Sequence, residues 1–212
     1  MQRILVASGN AKKLHELRTL CSDLPVEILA PADVNAQLPD VVEDGDTFIA
    51  NARKKALEFA DFAAEHLGPD VWALADDSGL SVDHLDGAPG VHSARFAGEH
   101  GNDDANNTLL LKRLNHVDDE QRGAAFHCVI AVAHSGSILI EAEGEVRGQI
   151  LRTPQGEDGF GYDPLFFHPL SGVCFAQLSM EQKAKVSHRG IAVSKLRQAI
   201  KSLLDQPQAT DE

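Results

Sequence analysis

Apolar residues follow two different spacings along this chain, and together these spacings predict alternating strands and helices. Short apolar runs predict strands at 4–7, 26–29 and 71–75. Apolar residues within 14–21 recur instead at helical spacing, and the turn residues at 8–10 separate this helix from the first strand.

A long helix is predicted over 47–67, a stretch that is rich in alanine and contains neither proline nor glycine. Asp46 is placed to act as its N-cap, and the Gly68-Pro69 pair marks its end. The acidic stretch at 40–46 that precedes it is predicted to be a loop.

Two neighbouring apolar stretches, at 124–133 and 137–146, flank the turn sequence His134-Ser135-Gly136 and predict a hairpin. The rest of the second half is punctuated by glycine and by capping residues. Its predicted elements are a loop-rich stretch at 79–101, a helix capped by Asn102, a glycine-rich loop at 153–161, a strand at 162–167, a short helix with a capping box at 179–182 and a last helix at 192–204.

Strands and helices interleave, but the hairpin requires antiparallel neighbours, so we expect an α/β fold with a mixed β-sheet flanked by helices. A chain of 212 residues can bury a sizeable core. We expect one domain over 1–204, followed by a polar tail at 205–212.

The formal net charge of −13 argues against binding to polymeric nucleic acid, which relies on a basic surface. The three cysteines are widely spaced and form no CxxC pair, which argues against a structural zinc site and is typical of reduced thiols. No apolar run approaches the length of a membrane span, so we expect a cytoplasmic protein that does not bind a membrane.

Two adjacent carboxylates, Asp76 and Asp77, end the apolar run at 71–75 and are followed at once by Ser78 and Gly79. Carboxylates at the end of a buried strand are costly unless a cation meets them, and a divalent metal with oxygen ligands is the simplest partner. That arrangement suggests phosphate chemistry. The alternative is an Asx-turn in which either carboxylate merely caps the backbone.

The sequence Ser8-Gly9-Asn10-Ala11-Lys12-Lys13 lies between a predicted strand and a predicted helix. Backbone N–H groups at a helix N-terminus attract anions, and Lys13 adds a point charge. An ordinary turn with two solvated lysines is the alternative.

Five segments in register resemble the inosine triphosphate pyrophosphatase family, the Ham1-like noncanonical purine nucleoside triphosphate pyrophosphatases. Together they run from residue 8 to residue 190, nearly the whole chain. These segments are Ser8 to Lys13, Asp46 to Ala52, Leu74 to Gly98, Gly159 to Pro164, and Lys183 with Ser187 to Gly190. The resemblance implies an elongated mixed sheet bent between two lobes, with the active site in the central cleft.

The resemblance also assigns roles around the carboxylates. It implies that the triphosphate lies on Ser8, Gly9, Asn10, Ala11, Lys12 and Lys13, with the side chain of Lys12 directed to solvent. Asp77 would be the general base, Mg²⁺ would be held by Asp77 and Glu43, and Lys55 and Ser78 would contact the substrate. Relatives commonly have a glutamate where this chain has Ala50, which either weakens metal binding or shifts the metal-binding role to Glu43, Asp46 and Asp77.

A base-binding site is expected on Phe160, Gly161, Tyr162, Asp163, Lys183, His188 and Arg189. Phe160 can stack on a base, and donors at 187–189 can meet the O6 acceptor of a keto purine, where adenine presents an amino group. Asp163 can accept from a base N–H or anchor a cation. The alternatives are core positions for Phe160 and Tyr162 in a turn that enters a strand, and a solvated surface position for His188 at a basic helix end. Arg95 is a candidate for contacting phosphate or for bracing the acidic loop.

The activity that the resemblance implies is hydrolysis of ITP, dITP and XTP to the monophosphate and pyrophosphate, in a protein expected to be a homodimer. One alternative is a Maf-like pyrophosphatase with a different base specificity. Another is a nucleotide-binding sensor that has lost turnover, for which Ala50 is the supporting feature.

Overall fold

The computed structural model describes residues 1–205, apart from the side chains of Lys12 and Glu16, so most of the expected polar tail lies outside the described residues. Seven strands and five α-helices make up the regular structure of this part of the chain. The strands are β1 (Gln2–Val6), β2 (Val26–Leu29), β3 (Trp72–Val82), β4 (Gly123–His134), β5 (Ser137–Ile150), β6 (Phe166–His168) and β7 (Val173–Cys174). The helices are α1 (Ala11–Leu20), α2 (Phe48–Leu67), α3 (Asp103–Arg113), α4 (Met180–Val186) and α5 (His188–Leu204).

The strands form one mixed sheet in the order β2-β1-β3-β4-β5-β6-β7. β1 pairs in parallel with β2 and β3, and the pairs from β3 onward are antiparallel. This arrangement confirms the predicted α/β class. It also confirms the hairpin, whose turn residues Ser135 and Gly136 both have positive φ, as a tight two-residue turn requires.

Helices cover the two faces of the sheet with different side chains. On one face an alanine stripe of α2, including Ala56 and Ala63, packs closely on alanines of β3 and β4. On the other face, leucines of α1 and α5 such as Leu17 and Leu196 pack on β1, β3 and β4. A third cluster, which includes Phe166 and Phe175, fills the end of the sheet that carries β6 and β7.

The largest departure from the sequence prediction is in β3, which does not end at Ala75 but continues to Val82. The polar residues extend the strand because their backbones pair with β4, for example Asp77 with Val129 and Gly79 with His127. Since alternate residues of a strand point to opposite faces, Asp76 and Asp77 lie on opposite sides of the sheet. The alternative of an Asx-turn at these carboxylates is therefore wrong.

Three element ends also differ from the prediction. The N-cap of α2 is Thr47 rather than Asp46, because the Thr47 hydroxyl accepts from the Ala50 N–H at 3.2 Å. The strand predicted at 162–167 is a 3₁₀ turn over 163–165 followed by the short β6. The last helix begins earlier than expected, since Ser187 caps it by accepting from the Gly190 N–H at 3.1 Å.

Within residues 1–205, no helix combines the length and the apolar character that crossing a membrane requires.

Candidate active site

An opening in the sheet exposes the edge of β3 beside the two carboxylates. β1 pairs with β3 only as far as Val6 with Leu74, and the next bridge on that edge joins Ser81 to Pro89. Between these points no strand among the described residues pairs with this edge of β3, whose other edge is paired with β4. Clefts at the carboxyl ends of parallel strands are the usual ligand sites of α/β sheets, so this gap is the candidate active site.

On one face of β3, Asp76 is surrounded by cations. Its carboxylate oxygen Oδ2 lies 2.8 Å from Lys13 Nζ and 3.9 Å from a guanidinium nitrogen of Arg189, and it accepts from the Ser78 hydroxyl at 3.3 Å. Burial by itself would raise the pKa of Asp76, but the charges of Lys13 and Arg189 outweigh it and hold that pKa well below its usual range. Asp76 is therefore ionised and keeps two cations together at the cleft.

On the other face, Asp77 is buried under the start of α2. Its Oδ2 accepts from Asn51 Nδ2 at 3.0 Å, and its Oδ1 accepts from the Ser78 N–H at 2.9 Å. Burial raises the pKa of Asp77 from 3.8 to about 6, with the Glu43 carboxylate adding to the rise and the Asn51 hydrogen bond opposing it. A carboxylate that titrates near neutrality in a cleft has the property expected of a general base.

Glu43, from the acidic loop, lies beside this second face. Its carboxylate is 2.5 Å from Lys55 Nζ, which also donates to the backbone carbonyl of Asp76 at 3.3 Å. The Arg95 guanidinium donates to the Glu43 carbonyl at 3.1 Å, so it braces the acidic loop, as one of its two sequence interpretations held. Lys54, the neighbour of Lys55, pairs instead with the exposed Asp44 at 2.7 Å.

Asn51 joins the acidic loop to Asp77, and sequence reasoning gave it no role. Its Oδ1 accepts from the Gly45 N–H at 2.8 Å while its Nδ2 donates to Asp77, and the residue is 1% exposed. Ala50, where a glutamate was expected, is exposed at the start of α2. An asparagine on the apolar face of an alanine-rich helix was the signal available in the sequence.

The donor set fits Mg²⁺ better than a metal that needs a full protein cage. Asp77 and Glu43 are oxygen donors close enough for the Glu43 carboxylate to raise the pKa of Asp77, and the Lys55 ammonium shows that a cation is stable beside Glu43. Among the described residues no group of three or more His, Cys, Asp or Glu side chains forms a metal site. Mg²⁺ is commonly held by one or two carboxylates together with substrate phosphates and water, so the pair meets that requirement.

The loop at 8–13 forms the N-terminal end of α1. Asn10 Oδ1 accepts from the Lys13 N–H at 3.2 Å, and the Ser8 hydroxyl accepts from the Asn10 N–H at 3.3 Å. The space in front of Gly9 is open, since a Cβ there would meet no atom within 4 Å. The expected orientation of the Lys12 side chain lies outside the described residues.

Phe160 presents an accessible ring with two cations beside it. The ring is on a residue that is 40% exposed, and Lys183 Nζ and the Arg189 guanidinium lie 4.7 Å and 5.4 Å from its centroid. Lys183 also pairs with the buried Asp163, which therefore anchors a cation, one of its two predicted roles. Because Arg189 faces both Phe160 and Asp76, it links the aromatic end of the cleft to the carboxylate end.

Four of the predicted base-site residues are buried, namely Tyr162, Asp163, His188 and Arg189. Tyr162 is in the core, where its hydroxyl donates to the Ser93 carbonyl at 2.8 Å, as its alternative interpretation held. His188 stacks on Phe126 with ring centroids 4.7 Å apart, so a solvated surface position is wrong for it. Burial, together with the charges of Arg189 and Lys183, lowers the pKa of His188 well below its usual value and leaves the ring neutral. Its buried Nδ1 has no hydrogen-bond partner among residues 1–205.

A family model described as the Ham1 family matches residues 4–199 of this sequence. The chain belongs to the Ham1 family. Curated relatives of this Ham1 protein include a dITP/XTP pyrophosphatase of Clostridium perfringens, 44% identical over 96% of this chain and 100% of the relative, and one of Geobacter sulfurreducens, 46% identical over 93% and 96%.

Solved structures show the same fold. A HAM1 protein from Coxiella burnetii superposes with a TM-score of 0.85 at 36% identity, covering 95% of this chain and 100% of that chain. A nucleoside-triphosphatase / dITP/XTP pyrophosphatase from Mycobacterium abscessus has a TM-score of 0.71 at 40% identity, covering 97% and 100%. The mixed sheet and its flanking helices are thus those of the Ham1 family.

Proposed function

We propose that this Ham1 protein hydrolyses the deaminated purine nucleoside triphosphates ITP, dITP and XTP to the nucleoside monophosphate and pyrophosphate. Two observations of different kinds support this activity. Relatives that match nearly the whole chain carry the name dITP/XTP pyrophosphatase. In the cleft, two adjacent residues of β3 also have different properties. Asp76 is surrounded by cations, and Asp77 is a carboxylate with a pKa of about 6.

We assign binding of the triphosphate to the cations and backbone N–H donors around the carboxyl end of β1. Lys13 and Arg189 are already held together by Asp76, and Lys55 lies on the other side of the same strand. Charged groups that are fixed in place before the substrate arrives stabilise phosphate charge without reorganising. We assign Ser8, Gly9, Asn10, Ala11 and Ser78 to the same phosphate subsite, since a helix N-terminus supplies N–H donors there.

The chemical step is assigned to Asp77. Its carboxylate takes a proton from a water molecule whose oxygen forms a bond to the α-phosphorus, while the bond from that phosphorus to the α–β bridging oxygen breaks and pyrophosphate leaves. With a pKa of about 6, Asp77 is mostly ionised at neutral pH and can accept this proton. Mg²⁺ on Asp77 and Glu43 would supply neutralisation of phosphate charge and a lower pKa for bound water.

Selectivity for the base is assigned to Phe160, which stacks on it, and to donors of Lys183, His188 and Arg189, which meet the purine O6 together with backbone donors near Gly161. A donor that faces the amino group of adenine loses its partner, which costs about 1–3 kcal/mol per buried group. The unpartnered Nδ1 of His188 and the cations on the Phe160 ring are the observations that support this assignment.

The observation that carries the proposal is the buried Asp77, raised in pKa and adjacent to the cations that surround Asp76. The test incubates purified protein with ITP and Mg²⁺ and resolves IMP plus pyrophosphate from IDP plus phosphate. ATP and GTP are run in parallel, and EDTA and Asp77→Asn are the controls. We expect IMP and pyrophosphate, lost with EDTA or in the variant, and weak turnover of ATP. Binding of ITP without any turnover would refute the enzyme and favour the sensor alternative.

The expected homodimer rests on the family resemblance and is a separate proposal. Light scattering after gel filtration measures the mass directly, against a chain mass of 22.8 kDa. A mass of one chain at working concentrations would contradict it.

A further inference from the structure

The ring of Phe160 is carried by a short arch, residues 158–162, that contains neither helix nor strand. Gly159 and Gly161 flank the phenylalanine with φ values of 86° and 61°. Such glycines permit the arch to form, but their backbones are also the least restricted of any residue. The position of the ring therefore depends on contacts that come from outside the arch.

Two side chains of α3 hold Gly161, the residue next to Phe160, by its N–H and by its carbonyl group. The Gly161 N–H donates to Asp103 Oδ2 at 2.6 Å, and Asn107 Nδ2 donates to the Gly161 carbonyl at 2.9 Å. Asp103 and Asn107 are four residues apart on the helix, so they project from the same face. We call this pair of residues the α3 clamp.

The backbone of Phe160 itself is hydrogen-bonded to Asp163, the residue that follows the arch. Its N–H donates to Asp163 Oδ2 at 2.9 Å, and its carbonyl accepts from the Asp163 N–H at 3.3 Å. These bonds shape the turn after the ring. The two ends of the arch are tied to other segments, because the Asp158 N–H donates to the Ala176 carbonyl at 3.1 Å and the Tyr162 hydroxyl donates to the Ser93 carbonyl at 2.8 Å. The α3 clamp holds the position directly beside the ring. The α3 helix is in turn tied to a neighbouring loop, since the Asn106 side chain accepts from the Ala97 N–H at 2.8 Å and donates to the Ala94 carbonyl at 3.3 Å.

We propose that the α3 clamp, Asp103 with Asn107, consists of specificity-determining positioning residues that fix the Phe160 ring and hence the plane of the base. This proposal rests on the proposed function. A stacked ring is tolerant of base identity, because every base has a π-face. Discrimination comes from donors that must meet the base edge in register, so a ring that shifts lets the base move away from Lys183 and His188.

The consequence differs between a substrate that uses those donors and one that does not. ITP loses hydrogen bonds when the base plane shifts, whereas ATP, whose amino group already mismatches the donors, loses little. Weakening the clamp should therefore reduce the preference for ITP over ATP rather than reduce the affinity for both.

The experiment measures dissociation constants of ITP and ATP by calorimetry with Mg²⁺, in an Asp77→Asn background so that no substrate is consumed. We expect Asp103→Ala and Asn107→Leu each to raise the Kd of ITP about tenfold and that of ATP less than about threefold, since each removes one hydrogen bond from the arch. Asp103→Asn keeps an acceptor oxygen and should restore most of the preference. Asp104→Ala is the matched control, an exposed aspartate in the same helical turn.

An equal rise in both dissociation constants, or no rise in either, would refute the proposal that the α3 clamp determines specificity. Should Asp103→Ala fail to fold, Asn107→Leu decides the matter alone, because leucine keeps the size of the side chain. Turnover of ITP by the protein with Asp77 intact is measured separately. Its absence would refute the proposed function, while the ratio of the two dissociation constants would still test the clamp.

Discussion

Replacing each of the adjacent carboxylates by asparagine should change the stability of the protein in opposite directions. Asp77→Asn removes a buried carboxylate whose pKa is raised by burial, and Asp76→Asn removes one whose pKa is lowered by neighbouring cations. The two substitutions are the same in chemistry and one residue apart in sequence. Any difference between them must come from the two faces of β3.

The expected gain for Asp77→Asn follows from its pKa. In the folded protein the pKa is about 6, against 3.8 as the ordinary value, so the unfolded chain loses its proton first as the pH rises. Stability therefore falls between pH 3.8 and 6, and above pH 6 the full cost of about 3 kcal/mol is present. Asparagine removes this cost but loses the hydrogen bond from Asn51, worth about 1–1.5 kcal/mol, so a net gain of about 1.5–2 kcal/mol is expected at pH 7.5.

The sign is reversed for Asp76. A depressed pKa contributes stability that is present above 3.8 and is lost as the pH falls through the folded value. Removing the charge leaves Lys13 and Arg189 close together without their shared carboxylate, and breaking a largely buried pair costs about 3–5 kcal/mol. Because Lys13 is 25% exposed and asparagine can still accept one hydrogen bond, we expect a loss of about 2–3 kcal/mol.

Urea unfolding followed by circular dichroism, with EDTA present, measures both differences at pH 7.5 and pH 4.5. At pH 4.5 the gain of Asp77→Asn should fall to about zero, while the deficit of Asp76→Asn persists. The reasoning is refuted if Asp77→Asn is less stable than the parent protein at pH 7.5, or if Asp76→Asn matches it.

Two further substitutions test other contacts of the cleft. Lys55→Met removes the cation on Glu43 and should lower kcat/KM for ITP at least about tenfold, whereas Lys54→Met next to it should leave steady-state kinetics unchanged; equal effects would contradict the assignment. Gly144→Ala would make a Cβ overlap the His188 carbonyl oxygen, so α5 must move, and thermal unfolding should show a loss of about 3 kcal/mol or more; a melting temperature equal to that of the parent protein would disprove this close approach.

The sequence was sufficient to predict those elements in which neighbouring residues all favour the same secondary structure. The alanine-rich α2 and the hairpin of β4 and β5 were predicted from local pattern, and the structure confirms both. The extension of β3 was not predictable in this way, because Asp-Asp-Ser-Gly is typical of a turn and its strand partner lies about fifty residues away. Pairing with β4 decided its conformation against local preference.

The candidate site shows the same division. Asp77, Glu43 and Phe160 were named from motifs, yet their faces and neighbours depend on tertiary pairing that no local pattern contains. Asn51, Asp103 and Asn107 were missed because each acts through a contact with a distant segment, 26, 58 and 54 residues away respectively.

Placing Asp76 and Asp77 side by side on one extended strand has a mechanical consequence. A displacement of α1, α2 or α5 changes the distances between groups on different elements, but it leaves almost unchanged the spacing of two successive residues whose backbone is paired with β4. The distance between Asp76, which holds the cations, and Asp77, the proton acceptor, is thus fixed by the covalent geometry of the strand. A distant substitution that displaces a flanking helix would therefore move Lys13, Asn51 or Arg189 and leave the spacing of the two carboxylates the same.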